Sequence, residues 1–310
     1  MIKYISLFSG IEAAKVAFDF AGIPAEPLAF FEIEKQQSKL LADKYPNTPN
    51  YGDVCEFNFS TFNGKIDFLC GGSPCQSFSM ANHKRDFTGV DLMQEFVSAV
   101  WQCEPDYFLF ENVPQTKSFF EEYVNENLFS EKRCLCEKYN IWHGVINSAD
   151  FGFMQPRKRY YCIGSKKSKP QIKVSQVCKE EIEFNYLPPT NFDLKQFEKH
   201  KEEKRNGFTY SGQNWDKYAH TNRVGVLVKQ HPVLEYTENH IGILSAETHE
   251  QLQGFPVGYT AGFSFTRRIA MLGNSWHCGT IAEIFKQVFN GTEFANNNYS
   301  SQTVSERGNL

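Results

Sequence analysis

Four short apolar runs, at residues 4–8, 27–31, 66–70 and 107–110, alternate with amphipathic stretches over 12–21, 34–44 and 92–103. No other feature of the chain restricts its fold as strongly. Runs of about five apolar residues bounded by turn residues read as buried strands, and apolar residues three and four apart read as helices. A strand–helix–strand series implies a parallel sheet with helices on both faces. Two more strands are expected at 139–146 and 159–163. After Gly164 the chain turns polar and loses periodicity, and 165–242, with its run His200-Lys201-Glu202-Glu203-Lys204-Arg205, reads as a separate small lobe. Pattern returns at 243, with helices expected at 245–253 and 278–289. The expected division is a main domain at 1–164, the lobe at 165–242, a segment completing the main domain at 243–290, and a polar, disordered tail at 291–310.

Composition narrows the function classes. With 41% hydrophobic residues and 29 phenylalanines, the 310 residues can build a sizeable core. No apolar stretch approaches the roughly 18 residues that span a bilayer, and the first residues run into a motif rather than a signal peptide, so a soluble, cytoplasmic protein with no membrane partner is expected. Nine cysteines in no regular framework are expected to be reduced thiols. Cys134 and Cys136 lack a second ligand pair, so no metal is expected. A net charge of −4 argues against nonspecific coating of nucleic acid but not against a local basic cleft. One stretch, 151–178, has no acidic residue and carries Arg157, Lys158, Arg159, Lys166, Lys167, Lys169 and Lys173. Such a strip can neutralise phosphates, or be a solvated face.

The third run leads into Gly71-Gly72-Ser73-Pro74-Cys75-Gln76. In open parallel sheets ligands bind past the carboxyl ends of the strands, so Cys75 stands where a substrate belongs and is a candidate nucleophile. Most cysteines are small buried hydrophobes, and one thiol among nine decides little alone. The first strand ends in Phe8-Ser9-Gly10-Ile11-Glu12, where a glycine lets a ligand approach the backbone and the helix behind it offers unpaired amides. At the second strand's exit, Glu32-Ile33 puts a carboxylate where it can accept both hydroxyls of a ribose. Asp53-Val54 can meet an adenine amino group or cap a turn. Each is ordinary alone, but in this order on successive units they describe an adenosine-containing cofactor. Glu111 ends the fourth strand in an apolar setting that raises a carboxyl pKa. A thiolate beside a proton-donating carboxyl suits addition to an electron-poor ring.

With these residues the chain resembles the cytosine-C5 methyltransferases over nearly its full length. Phe8-Ser9-Gly10-Ile11, Pro74-Cys75-Gln76, Glu111-Asn112-Val113, Gln155-Pro156-Arg157-Lys158-Arg159, Leu252-Gln253-Gly254-Phe255-Pro256 and Gly273-Asn274-Ser275-Trp276 are similar to the family's blocks and follow in its order. The Pro-Cys-Gln block is most like bacterial and phage enzymes, and the segment from Gly254 to Trp276 most like the de novo methyltransferases of animals. The resemblance implies a Rossmann-like, S-adenosylmethionine-dependent methyltransferase fold, α/β with a mostly parallel sheet, plus a small target-recognition lobe.

It implies roles as well. Cys75 would add to C6 of a cytosine flipped out of double-stranded DNA, Glu111 would hold or protonate N3, and Arg159 would contact the O2 side. Gln155 and Arg157 would order the loop or meet phosphate. S-adenosylmethionine, leaving as S-adenosylhomocysteine, would lie against Phe8, Ser9, Gly10, Ile11, Glu12, Glu32, Ile33, Asp53, Val54 and Pro74, with Asn274 and Ser275 closing its pocket. The setting would be a monomer in a bacterial or phage-infected cell, with or without a restriction partner. Three departures stand out. The catalytic loop expected at 80–90 is short, Asp91 replaces an arginine, and Glu247 and Gln251 stand where the family has arginines. The alternatives are an RNA (tRNA) cytosine methyltransferase, whose usual Cys-Phe-Thr run is absent, and a catalytically silent DNA-binding paralogue. Zinc deaminases also act on flipped cytosine, but need a His-x-Glu and Pro-Cys-x-x-Cys set that this chain lacks.

Overall fold

A computed structural model describes residues 1–74, 88–124, 134–177, 182–200, 207–213, 215, 224–237, 239–289 and 292. Cys75, Gln76, most of the loop expected at 80–90, and the tail apart from Thr292 lie outside the described residues, as does the side chain of Asp91.

The main sheet contains β1 (Ile2–Leu7), β2 (Ala25–Phe31), β3 (Phe68–Gly71), β4 (Tyr107–Asn112), β5 (Asn140–Asn147) and β6 (Lys158–Ser165), in the order β2-β1-β3-β4-β6-β5. The first four strands are parallel to one another, whereas β6 runs antiparallel to both β4 and β5. The sheet is therefore mixed at one side, in an α/β fold that is otherwise parallel.

Alternation along the strands decides which helix covers which face. Ile5, Leu7, Leu69, Phe108 and Phe110 pack with Met93, Phe96, Val97 and Val100 of α3 (Thr88–Cys103). Tyr4, Phe68, Cys70, Tyr107 and Leu109 point the other way, onto α1 (Ala13–Ala21) and the last helix, α8 (Cys278–Phe289). There Phe18 stacks on Phe285 with ring centroids 4.1 Å apart. Helix α2 (Lys35–Lys44) follows β2, and α4 (Lys117–Phe120) is a single turn after β4. Helix α3 starts at Thr88, so residues 88–90, expected in the loop, belong to its first turn.

The polar middle of the chain is more regular than its sequence. Strands β7 (Tyr186–Leu187), β8 (Gly207–Tyr210), β9 (Val233–Thr237) and β10 (His240–Leu244) form an antiparallel sheet in the order β7-β10-β9-β8. Helix α5 (Asn191–His200) contributes Phe197 to a small core with Trp215, Leu234, Tyr236 and Ile243. Strand β10 leads directly into α6 (Ala246–Leu252), capped by the Ser245 hydroxyl on the Thr248 N–H. Helix α7 (Phe265–Asn274), absent from the sequence expectations, follows. Its Arg268 pairs with Glu247 at 2.5 Å and with the fully buried Glu250 at 2.9 Å, fastening α7 to α6.

Two sequence expectations need correction. Cys134 and Cys136 are joined in a disulfide rather than being free. With one residue between them, the link closes a local ring and ties no distant elements together. The basic stretch 157–173 is not one patch, because the reversed β6 carries it across the sheet. Eight extended residues cover about 25 Å, so Arg159 and Lys166 lie at opposite edges. At the far edge Lys166 donates to the Glu104 carbonyl and Lys167 pairs with Asp106 at 3.5 Å.

Candidate active site

Register brings the expected residues to one edge. Leu7, Phe31, Gly71 and Phe110 form a row across β2-β1-β3-β4. The next residue on each strand is Phe8, Glu32, Gly72 or Glu111, and all four line one cavity of about 410 Å³. A side chain at position 72 would close this edge, since a Cβ there would lie 2.4 Å from the Glu111 carbonyl oxygen.

At one end of the cavity, Ser9 ties β1 to β2. Its N–H donates to the Phe31 carbonyl at 3.1 Å, and its hydroxyl accepts the Phe31 N–H at 3.0 Å. That bridge turns Gly10 towards Glu32, whose carboxylate accepts the N–H groups of Gly10 (2.7 Å) and Glu34 (2.8 Å), one on each oxygen. Burial pushes the Glu32 carboxyl above the usual carboxylate range against the pull of these bonds. Each oxygen keeps a lone pair, which suits a pair of vicinal hydroxyls. Beside it Ile33 is 69% exposed, an apolar surface at the cavity wall that suits a flat ring. Asp53 accepts the Cys55 N–H at 2.9 Å through one oxygen, and Val54 is buried behind it. These acceptors and apolar surfaces fit an adenosine group. Asn274 and Ser275, at the end of α7, line the same cavity.

At the other end Glu111 is buried, with Oε1 3.2 Å from Arg159 Nε. Desolvation pushes its carboxyl up, opposed by Arg159, Arg157 and a hydrogen bond with Trp276. A carboxyl biased towards its protonated form can donate to a ring nitrogen. Asn112 holds the turn that leads to Cys75, donating to the Ser73 carbonyl (2.9 Å) and hydroxyl (3.2 Å). Pro74 lines the cavity, and Cys75 follows it in the chain.

Four expected residues sit apart from this edge or serve it indirectly. Gln155 is fully buried, donating to the Leu252 carbonyl and the Gln253 side chain and accepting the Leu227 N–H. Arg157 touches the cavity but is 3% exposed, and its guanidinium binds the carbonyls of Leu227, Gly273 and Ser275. Ile11 packs in a core between α1, α2 and the C-terminal segment. Glu12 is fully buried at the head of α1 with a left-handed backbone (φ 60°), accepting from Tyr4 Oη at 2.8 Å and the Lys15 N–H at 3.2 Å. Neither Ile11 nor Glu12 is among the cavity's walls.

Burial pushes the Glu12 carboxyl up to about 7. Because the folded value exceeds the unfolded one, its contribution favours the fold below the ordinary carboxylate range and is lost as pH rises through about 7. Glu12→Gln keeps the two acceptor bonds without a buried charge. It is expected to stabilise the protein at pH 8 by up to about 3 kcal/mol and leave stability near pH 4.5 unchanged. Urea melts at the two pH values measure this, and an equal effect at both would contradict it.

Residues outside the sequence expectations also line the cavity, among them Lys229 and the α7 residues Arg267, Ala270 and Met271. The apolar residues Phe265, Ile269 and Leu272, at helical spacing, were the available signal for α7.

The orphan methyltransferase M.SPRI of Bacillus phage SPR is 33% identical over 53% of this chain and 37% of its own length. The type II methyltransferase M.NlaIV of Neisseria lactamica is 29% identical over 55% of this chain and 43% of its own. The chain thus spans about two fifths of the length of such relatives. The type II methyltransferase M.HpaII of Haemophilus parainfluenzae is 27% identical over 88% of this chain and 85% of its own. Among solved structures, the Entamoeba histolytica methyltransferase EhMeth superposes with a TM-score of 0.67 at 17% identity, covering 93% of this chain and 98% of the other. That likeness speaks for the fold. The model of C-5 cytosine-specific DNA methylases matches residues 2–222 of the 310, and the chain belongs to the C-5 cytosine-specific DNA methylase family.

Proposed function

We propose that the protein is a DNA cytosine-5 methyltransferase acting on a cytosine flipped out of a short duplex target. The observation that carries this reading is the single cavity with the Glu111–Arg159 pair at one end and the Glu32–Gly10 pair at the other. S-adenosylmethionine, the methyl donor that the family implies, supplies an electrophilic methyl group for C5. Glu32 would hold the ribose hydroxyls, Ile33 and Asp53 the adenine, and Phe8, Ser9, Gly10, Asn274 and Ser275 the rest of the pocket. Cys75, as thiolate, adds to C6 and shifts an electron pair towards C5, while Glu111 gives its proton to N3. After methylation the C5 proton passes to water, the C5–C6 double bond re-forms, the thiolate leaves and N3 returns its proton to Glu111. Arg159, fixed by Glu111 and by its bond to the Lys158 carbonyl, has guanidinium donors left for the O2 edge of the base. Gln155 and Arg157 act as positioning residues behind this arrangement.

The lobe at 165–242 would read the target sequence, its antiparallel sheet having a hydrophobic cluster separate from the main sheet's. The reading implies the cytoplasm of a bacterial or phage-infected cell, and among the described residues no helix is long and apolar enough to cross a membrane.

Trapping tests the chemistry. A fluorine at C5 cannot leave as a proton, so duplex DNA substituted throughout with 5-fluorocytosine is expected to form a covalent adduct that survives denaturing electrophoresis and requires S-adenosylmethionine. Adduct with fluorinated RNA alone would move the substrate to RNA. Adduct with neither would overturn the proposal.

A further inference from the structure

Resting on this reading, we propose that Lys229 and Arg267 form the cationic strip that takes the phosphates of the nucleic acid at the mouth of the cavity. Four basic residues line the cavity, Arg157, Arg159, Lys229 and Arg267. Arg157 is buried on three backbone carbonyls, and Arg159 is turned onto Glu111. Lys166 and Lys167, which the sequence groups with them, are engaged at the opposite sheet edge. Lys229 and Arg267 are exposed, and among the described residues neither has an acidic or hydrogen-bonding partner.

Both are held in place by their backbones. Residues 267, 270, 271 and 274 lie at i, i+3, i+4 and i+7 on α7, and all four line the cavity, so one helix face carries Arg267 and Asn274 together. Arg268, next in sequence, points away into its pairs with Glu247 and Glu250. Lys229 is brought to α7 by a backbone crossing at Gly273, where a Cβ would lie 2.6 Å from the Val228 carbonyl carbon and 2.7 Å from the Lys229 nitrogen. Arg157 pins that crossing by binding Leu227 on one segment and Gly273 and Ser275 on the other. The buried arginine thus positions an exposed lysine, and the strip stands where the main sheet's cavity meets α7. A second anion, the carboxylate of the cofactor's methionine part, has the same chemistry, and the experiment separates the two.

The experiment uses the full chain and the double variant K229A/R267A, with duplex DNA binding followed by fluorescence anisotropy between 50 and 200 mM KCl. Each phosphate contact contributes about 0.9 to the slope of log K against log salt, so the double variant is expected to lower the slope by about 2. The charge-keeping variant K229R/R267K is expected to retain the wild-type slope. S-adenosylmethionine affinity, by calorimetry, is expected to stay within about twofold, well short of a tenfold loss. An unchanged slope overturns the proposal, as does loss of cofactor binding with the slope intact, which would assign the strip to the carboxylate. The two readings fail differently. Wild-type protein that traps no 5-fluorocytosine duplex fails the function, whereas trapping with an unchanged slope in K229A/R267A fails the strip alone.

Discussion

Replacing Cys75 with serine is expected to abolish methyl transfer, by about four orders of magnitude or more, while S-adenosylmethionine still binds. Serine has nearly the shape of cysteine, so the variant isolates the nucleophile's acidity. A thiol ionises within a unit or two of neutral pH, whereas an alcohol does not ionise in this range. Calorimetry with S-adenosylmethionine and single-turnover transfer of labelled methyl to DNA report the two halves of the prediction. Transfer at the wild-type rate would remove Cys75 from the mechanism. Loss of cofactor binding along with transfer would mean that the substitution disturbs the turn held by Asn112.

Arg157→Ala is expected to act on the fold first, costing about 3–5 kcal/mol. The guanidinium reaches carbonyls of two separate segments, Leu227 on one and Gly273 and Ser275 on the other. Its removal strands buried acceptors and opens a void at the crossing beneath Lys229. Lysine cannot replace it, since one ammonium on a flexible stem cannot span that set. The midpoint of thermal unfolding is expected to fall by about 5–8 °C in both Arg157→Ala and Arg157→Lys. An unchanged midpoint with transfer lost would instead make Arg157 a group that touches the substrate.

Much of the fold was legible because local and global signals agree where strands are buried on both faces. Ile66 to Gly72 reads as strand and turn from composition alone, and the edge containing Glu32, Gly72 and Glu111 follows once the strands are parallel. The direction of β6 was not legible. Tyr160 to Ile163 is apolar whichever way the strand runs, and its pairing with β4 is a tertiary fact. The same reversal divided a basic stretch that looked continuous. Arg157 shows the limit for side chains, because nothing local separates an arginine that meets phosphate from one buried on carbonyls. The small sheet escaped notice because its strands are short and half-exposed, with β7 only two residues long. Helix α7 was missed for another reason, since Arg267-Arg268 interrupts its apolar spacing although the two arginines face opposite ways.

The pairing of Arg268 with Glu247 and Glu250 bears on how parts of such enzymes can be exchanged. In the family pattern an arginine occupies the place of Glu247. Transplanting α6 alone from such a relative would set one guanidinium against another and leave Arg268, only 12% exposed, without its partner at 247. Transplanting α7 alone, without an arginine at 268, would leave the Glu250 carboxylate buried with only the N–H groups of Gly258 and Thr260 and the Thr260 hydroxyl. Chimeras should therefore place their junctions outside residues 245–275 and carry the two helices as one cassette.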